Sequence, residues 1–242
     1  NENSAFGFQA LNGNTTGEGN TGLGRKTLFT NSTGGQNTAV GQGALLANTT
    51  ASENVAVGYD SLVANTTGTD NVAVGYHALK SNTTAGNNTA VGANALDAST
   101  TSSSNTAVGS QAATSLTTGD GVLALGTSAA ESMTTGAANA VAGFQAGQYL
   151  TTGSNNTAFG KQALQSVSTG SSAANNTALG SEALKVNTTG SENVAVGQAA
   201  LDANTTGASN TALGRASLSA NTTANGNTGV GESALRFNTT GE

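Results

Sequence analysis

No cysteine occurs among the 242 residues, which removes a disulfide framework and every thiolate metal site. Proline and tryptophan are also absent. Only 8% of residues are charged, where an ordinary soluble domain has about 25%. Disordered low-complexity chains are typically rich in charge and proline, so their joint scarcity argues against simple disorder. Seven scattered Lys and Arg under a formal net charge of −6 offer no basic face, so nucleic acid is not an expected partner. No run of about 18 apolar residues is present, and the chain is not expected to be membrane-embedded. It opens on Asn1, without an initiator Met or a signal-like segment, as a mature product or a slice of a longer protein would.

What fills the chain is Asn, Thr, Ser, Ala and 34 Gly, arranged periodically. The pentapeptide Asn-x-Ala-apolar-Gly begins at Asn3, Asn20, Asn37, Asn54, Asn71, Asn88 and Asn105, then at Val122, Asn139 and Asn156. Each step is 17 residues; one step of 20 leads to Asn176, and 17 resumes at Asn193, Asn210 and Asn227. Fourteen coils therefore span residues 1–242, read as one solenoid domain. Numbering each coil from its first residue, position 5 is Gly in all fourteen and position 9 is Leu in eleven. Position 4 is apolar in thirteen, with Ala142 the exception, next to Val141. Position 14 is Thr throughout.

Positions 2 to 4 alternate as a short strand ended by the Gly corner, with 2 and 4 on one face and a small residue at 3 on the other. Restriction to Ala or Gly at 3 implies a closely packed layer there, and Gly at 5 fits positive φ or close approach. The residues at 4 and 9 are expected to carry the apolar core. Where the Leu at 9 is lost (Ala113, Ala130, Gly147), position 12 gains Leu116, Met133 and Leu150, as though bulk had moved within one volume. The spacing of positions 8, 9 and 12 predicts a short helical turn, closed by the Asn-Thr-Thr-Gly return. The fold class expected is thus mainly β, a parallel β-solenoid or β-roll, each coil one short strand plus a helical turn, stacked at about 4.8 Å per coil.

The stretches "NTAVGQGAL", "NVAVGYHAL" and "NTALGSEAL" resemble the head repeats of YadA-like trimeric autotransporter adhesins. The longer phrase "NTAVGQGALLANTT" is similar to repeat arrays of phage tail fibres and bacterial surface proteins. The resemblance implies a left-handed solenoid, a homotrimer, and display or adhesion on an extracellular surface, a cell surface or a virion tail. The repeat departs from the adhesin pattern by its added "LxxNTTG" segment, and no heptad stalk, neck or membrane anchor lies within it.

Candidate chemistry is sparse. The acidic residues are spread along the chain, with Glu53, Asp70 and Glu192 sharing position 17 as a solvated edge. His77 is the single histidine, so neither a metal centre nor a catalytic triad is expected, and no cofactor. A calcium-binding Gly-Gly-x-Gly-x-Asp nonapeptide is absent as well. Nine sequons recur at position 12, at Asn14, Asn31, Asn48, Asn65, Asn82, Asn187, Asn204, Asn221 and Asn238, and are candidates either for glycosylation or for side-chain ladders. Phe8, Tyr59, Tyr76 and Phe144 share position 6, as candidate contacts for a glycan or a protein partner, and Tyr59 and Tyr76 are expected to stack. The reading is of a structural fibre segment, not an enzyme, that associates with itself as a homotrimer or end to end as a filament. Possible external partners are a host-surface glycan or protein. Ice or glycan binding by a Thr-rich solenoid is the further alternative.

Overall fold

The computed structural model describes residues 2–167 and 170–239. The chain divides into two compact units, Asn1–Asp120 and Gly121–Glu242. Each is a parallel β-solenoid with one three-residue strand per coil. In the first unit β1 (Ser4–Phe6), β2 (Thr21–Leu23), β3 (Thr38–Val40), β4 (Val55–Val57), β5 (Val72–Val74), β6 (Thr89–Val91) and β7 (Thr106–Val108) pair in sequence order. In the second the same holds for β8 (Leu123–Leu125), β9 (Ala140–Ala142), β10 (Thr157–Phe159), β11 (Thr177–Leu179), β12 (Val194–Val196), β13 (Thr211–Leu213) and β14 (Thr228–Val230).

Register follows the sequence period. Val55, Ala56 and Val57 lie opposite Val72, Ala73 and Val74, so like stands over like. The 20-residue step does not break this: Thr157 still faces Thr177. Ser171 bridges to Leu150, and its carbonyl accepts the Thr151 N–H at 2.9 Å. The ordinary step holds as far as Gln165, whose carbonyl accepts the Tyr149 N–H at 2.9 Å, so the register shifts between Gln165 and Ser171; Ser168 and Thr169 lie outside the described residues.

The small residue at position 3, not the apolar one at 4, faces the core, which corrects the expected assignment. Ala39, Ala56, Ala73, Ala158 and Ala195 are completely buried, while Leu23, Val108, Phe159 and Val230 are exposed. The interior at this level is too narrow for more than a methyl group. Even Gly22 has no spare room, since an added Cβ would lie 2.8 Å from Thr27 Oγ1. Val141, the one larger residue at position 3, is accommodated because position 9 of its coil is Gly147; a Cβ there would stand 3.1 Å from Val141 Cγ1. The core column is the Leu at 9, with Leu28, Leu45, Leu62, Leu79 and Leu96 fully buried in the first unit. The compensating Leu116, Met133 and Leu150 are equally buried.

The helical turn expected over positions 6 to 12 does not form. Instead His77 and Leu79 have φ of 58° and 50°, as Asp60 and Leu62 have 50° each, so alternate residues are left-handed. Three overlapping turns result in this coil: Ala78 N–H bonds Gly75 O at 3.5 Å, Lys80 N–H bonds His77 O at 3.3 Å, and Asn82 N–H bonds Leu79 O at 3.2 Å. The remaining donors reach neighbouring coils: His77 N–H to Tyr59 O at 3.0 Å, Leu79 N–H to Ala95 O at 3.0 Å and Ser81 N–H to Asp97 O at 3.1 Å. A helix would use its N–H groups internally and leave nothing to tie one coil to the next. A left-handed Leu costs about 1–2 kcal/mol, a cost comparable to what full burial of its side chain contributes, about 1.5–3 kcal/mol.

Gly at position 5 answers two demands at once. Gly58 and Gly75 have φ of 137° and 141°, and a Cβ on Gly58 would meet the Gly75 carbonyl in the adjacent coil. The corner is open only to glycine.

Exchange of bulk between positions 9 and 12 can be measured. Leu62→Ala is expected to destabilise by about 2–5 kcal/mol. Adding Asn65→Leu, which copies the Ala113–Leu116 arrangement, should recover part of the loss, giving a favourable coupling of about 1 kcal/mol in a double-mutant cycle by denaturant unfolding. Additive losses would show that the two positions do not share one volume.

Candidate functional site

Three surface and core features gather the residues singled out from sequence. The first is a pair of amide ladders. At position 1, Asn54 Nδ2 donates to Gly68 O at 3.0 Å in its own coil, and its N–H reaches Asn37 Oδ1 at 3.0 Å in the neighbouring one. Asn71 N–H in turn donates to Asn54 Oδ1 at 3.0 Å. At position 12, Asn65 Nδ2 donates to Asn48 Oδ1 at 3.1 Å and to the same Gly68 O at 2.9 Å. Both amides of a coil thus converge on the position-15 carbonyl, whose two lone pairs accept them. The pattern repeats at Gly34, Ala51 and Ala85.

This arrangement bears on the sequons. Asn31, Asn48, Asn65, Asn82, Asn187, Asn204 and Asn221 are fully buried, with Nδ2 hydrogen-bonded. Asn14 and Asn238, in the first and last coils, are half-buried. A glycan is attached through Nδ2, and in the folded coil the Nδ2 atoms of these buried asparagines are engaged as ladder donors. The ladder at position 1 was not read from the sequence as such. Its signal was Asn in thirteen of fourteen coils, at a place where strand propensity alone gives no reason for it.

The second feature is an aromatic cluster. Tyr59 and Tyr76 stack as expected, with centroids 5.7 Å apart and planes 16° from parallel. The His77 ring joins them, 3.7 Å from Tyr76 and 5.8 Å from Tyr59. Tyr59 and Tyr76 remain 45% and 52% exposed. Phe8, 67% exposed, occupies the corresponding place three coils before Tyr59 and is not part of this cluster, and Phe144, 50% exposed, occupies it in the second unit.

The third is the outward sheet face made by positions 2 and 4. Every side chain on it is Ser, Thr, Ala, Val, Leu or Phe, and none carries a charge. All are half-buried or exposed. In the first unit it runs through Thr38, Val40, Val55, Val57, Val72 and Val74. The burial of Ala at position 3 is what turns these larger residues outward.

The charged groups do not converge. Glu53 and Asp70 are both exposed, and among the described residues no group of three or more His, Cys, Asp or Glu could hold a metal ion. An open recess of about 480 Å³ at a corner of the first coils is lined by Glu2, Thr16, Glu18, Thr33, Gln36 and Ser52. Among the described residues no helix is long and apolar enough to cross a membrane. No protein-family model matches the chain, and comparison with curated proteins finds no relative.

Among the described residues four buried side-chain oxygens lack a hydrogen-bond partner: Asn82 Oδ1, Asn221 Oδ1, Asp97 Oδ1 and Asp202 Oδ1. Asn82 is left so because position 12 of the next coil is Ser99, whose shorter side chain donates instead to Ser102 O at 3.4 Å. Burial raises the Asp202 pKa above the ordinary 3.8, Glu182 adds to the rise, and backbone N–H groups and Lys185 oppose it. The folded chain therefore holds this proton more tightly than the unfolded one. Its stabilising contribution is complete below the unfolded pKa and is lost as pH rises through the raised folded value.

Two outcomes follow from these orphaned oxygens. Ser99→Asn should extend the ladder, satisfy Asn82 Oδ1 and stabilise the protein by about 1 kcal/mol in denaturant unfolding. Asp202→Asn should raise Tm at about pH 7, and the difference from wild type should shrink toward about pH 3 as the wild-type carboxyl becomes protonated. A pH-independent difference would place the effect elsewhere than on the carboxylate charge.

Proposed function

We propose that this chain is a structural segment of an extracellular fibre, of adhesin-head or tail-fibre-shaft type, and that it works by self-association and display and not by catalysis. The observation that carries this reading is the charge-free outward sheet face. A sheet face that stays in water normally carries charged side chains that oppose further association. Here a chain with net charge −6 keeps every charge off positions 2 and 4. The Val, Leu and Phe side chains on that face would lose their water contact only against another surface of the same kind. Identical faces related by a rotation axis provide such a surface at every coil.

The resemblance of "NTAVGQGAL" and "NVAVGYHAL" to trimeric adhesin heads favours three copies, with these faces turned toward a common axis. The amide ladders support a passive role as well, because the interior is occupied by hydrogen-bonded rungs and Leu side chains. A position on the cell surface or a virion tail belongs to the same reading.

Light scattering of the purified chain is expected to give three times the 23.3 kDa chain mass. Val57→Lys combined with Val74→Lys should reduce the mass to one chain while the far-UV spectrum is retained. A wild-type chain that stays monomeric at all concentrations would overturn the proposal. Lengths that grow with concentration would point to end-to-end polymerisation, and thermal hysteresis by a monomer to ice binding.

A further inference from the structure

We propose that Tyr59, Tyr76 and His77 form a binding platform for a neutral oligosaccharide, which they recognise through the C–H face of a pyranose ring. The inference is independent of the oligomeric reading above. It starts from the fact that these rings contribute nothing to the interior. At their level the coil is already filled by Ala56, Ser61, Leu62, Ala73, Ala78 and Leu79, all completely buried. Three rings within 5.8 Å of one another are nonetheless held together on the surface.

The backbone fixes them. Gly58 N–H bonds Val40 O and Gly75 N–H bonds Val57 O, both at 2.8 Å, just before the two tyrosines. Just after them, Asp60 N–H bonds Gln42 O at 2.9 Å and His77 N–H bonds Tyr59 O at 3.0 Å. Asn94 N–H closes the next rung on Tyr76 O at 2.8 Å. Each tyrosine is therefore clamped on both sides in adjacent coils, and little backbone ordering remains to oppose binding.

The polar groups around the rings suit hydroxyls. Among the described residues neither phenol nor the imidazole makes a hydrogen bond within the protein, so all three can meet sugar hydroxyl groups. Positions 6 and 7 of the coils on either side supply Gln42, Gly43, Ala93 and Asn94, and Asp60 follows Tyr59 in its own coil. Amides, a carboxylate and a methyl group surround the cluster at these positions, with no cation among them. Asp60 is the one acidic residue at these positions, so the rim suits the hydroxyls of a neutral saccharide better than the carboxylates of an anionic one. An aromatic face with a few polar groups at its rim is the arrangement that orients an amphipathic ligand.

The test is titration of the whole chain with cellohexaose, laminarihexaose, chitohexaose and a β-1,4-galactohexaose, followed by the ring-proton resonances of Tyr59, Tyr76 and His77. At least one of these should shift all three rings, with a Kd on the order of 1 mM, as expected for a small exposed platform. The double substitution Tyr59→Ser, Tyr76→Ser should weaken binding at least about tenfold, and His77→Ala should also weaken it. Phe144→Ser should leave it unchanged, and the far-UV spectrum and Tm of each variant should match wild type. No shift with any of the four at about 10 mM, binding that survives the double substitution, or tighter binding of an oligogalacturonate would each overturn the proposal.

Discussion

In most coils two amides that meet on one carbonyl oxygen hold the coil closed and set it on its neighbour. In the coil from Asn54 to Asp70, Asn54 and Asn65 approach Gly68 O from two sides, while their own oxygens accept donors from the adjoining coil. Three points of the coil are thus pinned by atoms that have no water to turn to. An unpaired amide in such a place would cost about 1–3 kcal/mol, so the rungs enforce the register as much as they stabilise it. Where the position-12 rung is given up at Leu150, an apolar side chain fills the space and the position-1 amide alone holds the carbonyl, as Asn139 does with Gly153 O at 2.9 Å; the Met133 coil, which begins at Val122, has an apolar residue at both places.

Alternation of backbone handedness serves the same end. By switching the sign of φ at His77 and Leu79, the turn uses one set of N–H groups within the coil and sends the other set to its neighbours. The hydrogen-bonded lattice then continues past the three-residue strands and round the corner. This explains how a unit with so little strand is tied so thoroughly to the units beside it, and why a proline-free sequence suits it: few backbone donors can be spared.

Much of this was legible in the residues. The 17-residue period, the parallel in-register stack, the Gly corner and the exchange between positions 9 and 12 all follow from which letters recur together. Two things were hidden. Leu at position 9 disguises a left-handed residue, because Leu is a good helix former and its spacing from positions 8 and 12 also fits one helical face; only Gly147 hints at positive φ there, as Gly43 and Asn94 do at position 7. The inward and outward faces of the strand were hidden as well. Hydrophobicity favours Val57 over Ala56 for the interior, but the width of the coil reverses the choice. The stacked tyrosines were foreseeable from the period, whereas His77 joined them through backbone geometry that no spacing reveals.

The uniformity of the rungs has a genetic consequence. Because a coil with Asn at positions 1 and 12 presents to the coil before it the same donors and acceptors that it receives from the coil after it, adding or deleting such a coil among its like leaves no new group unmatched. Length is then nearly neutral to folding within a unit, and recombination between near-identical stretches can adjust reach while the cross-section stays fixed. Such a protein can grow or shrink in integer steps, each step about one strand spacing long.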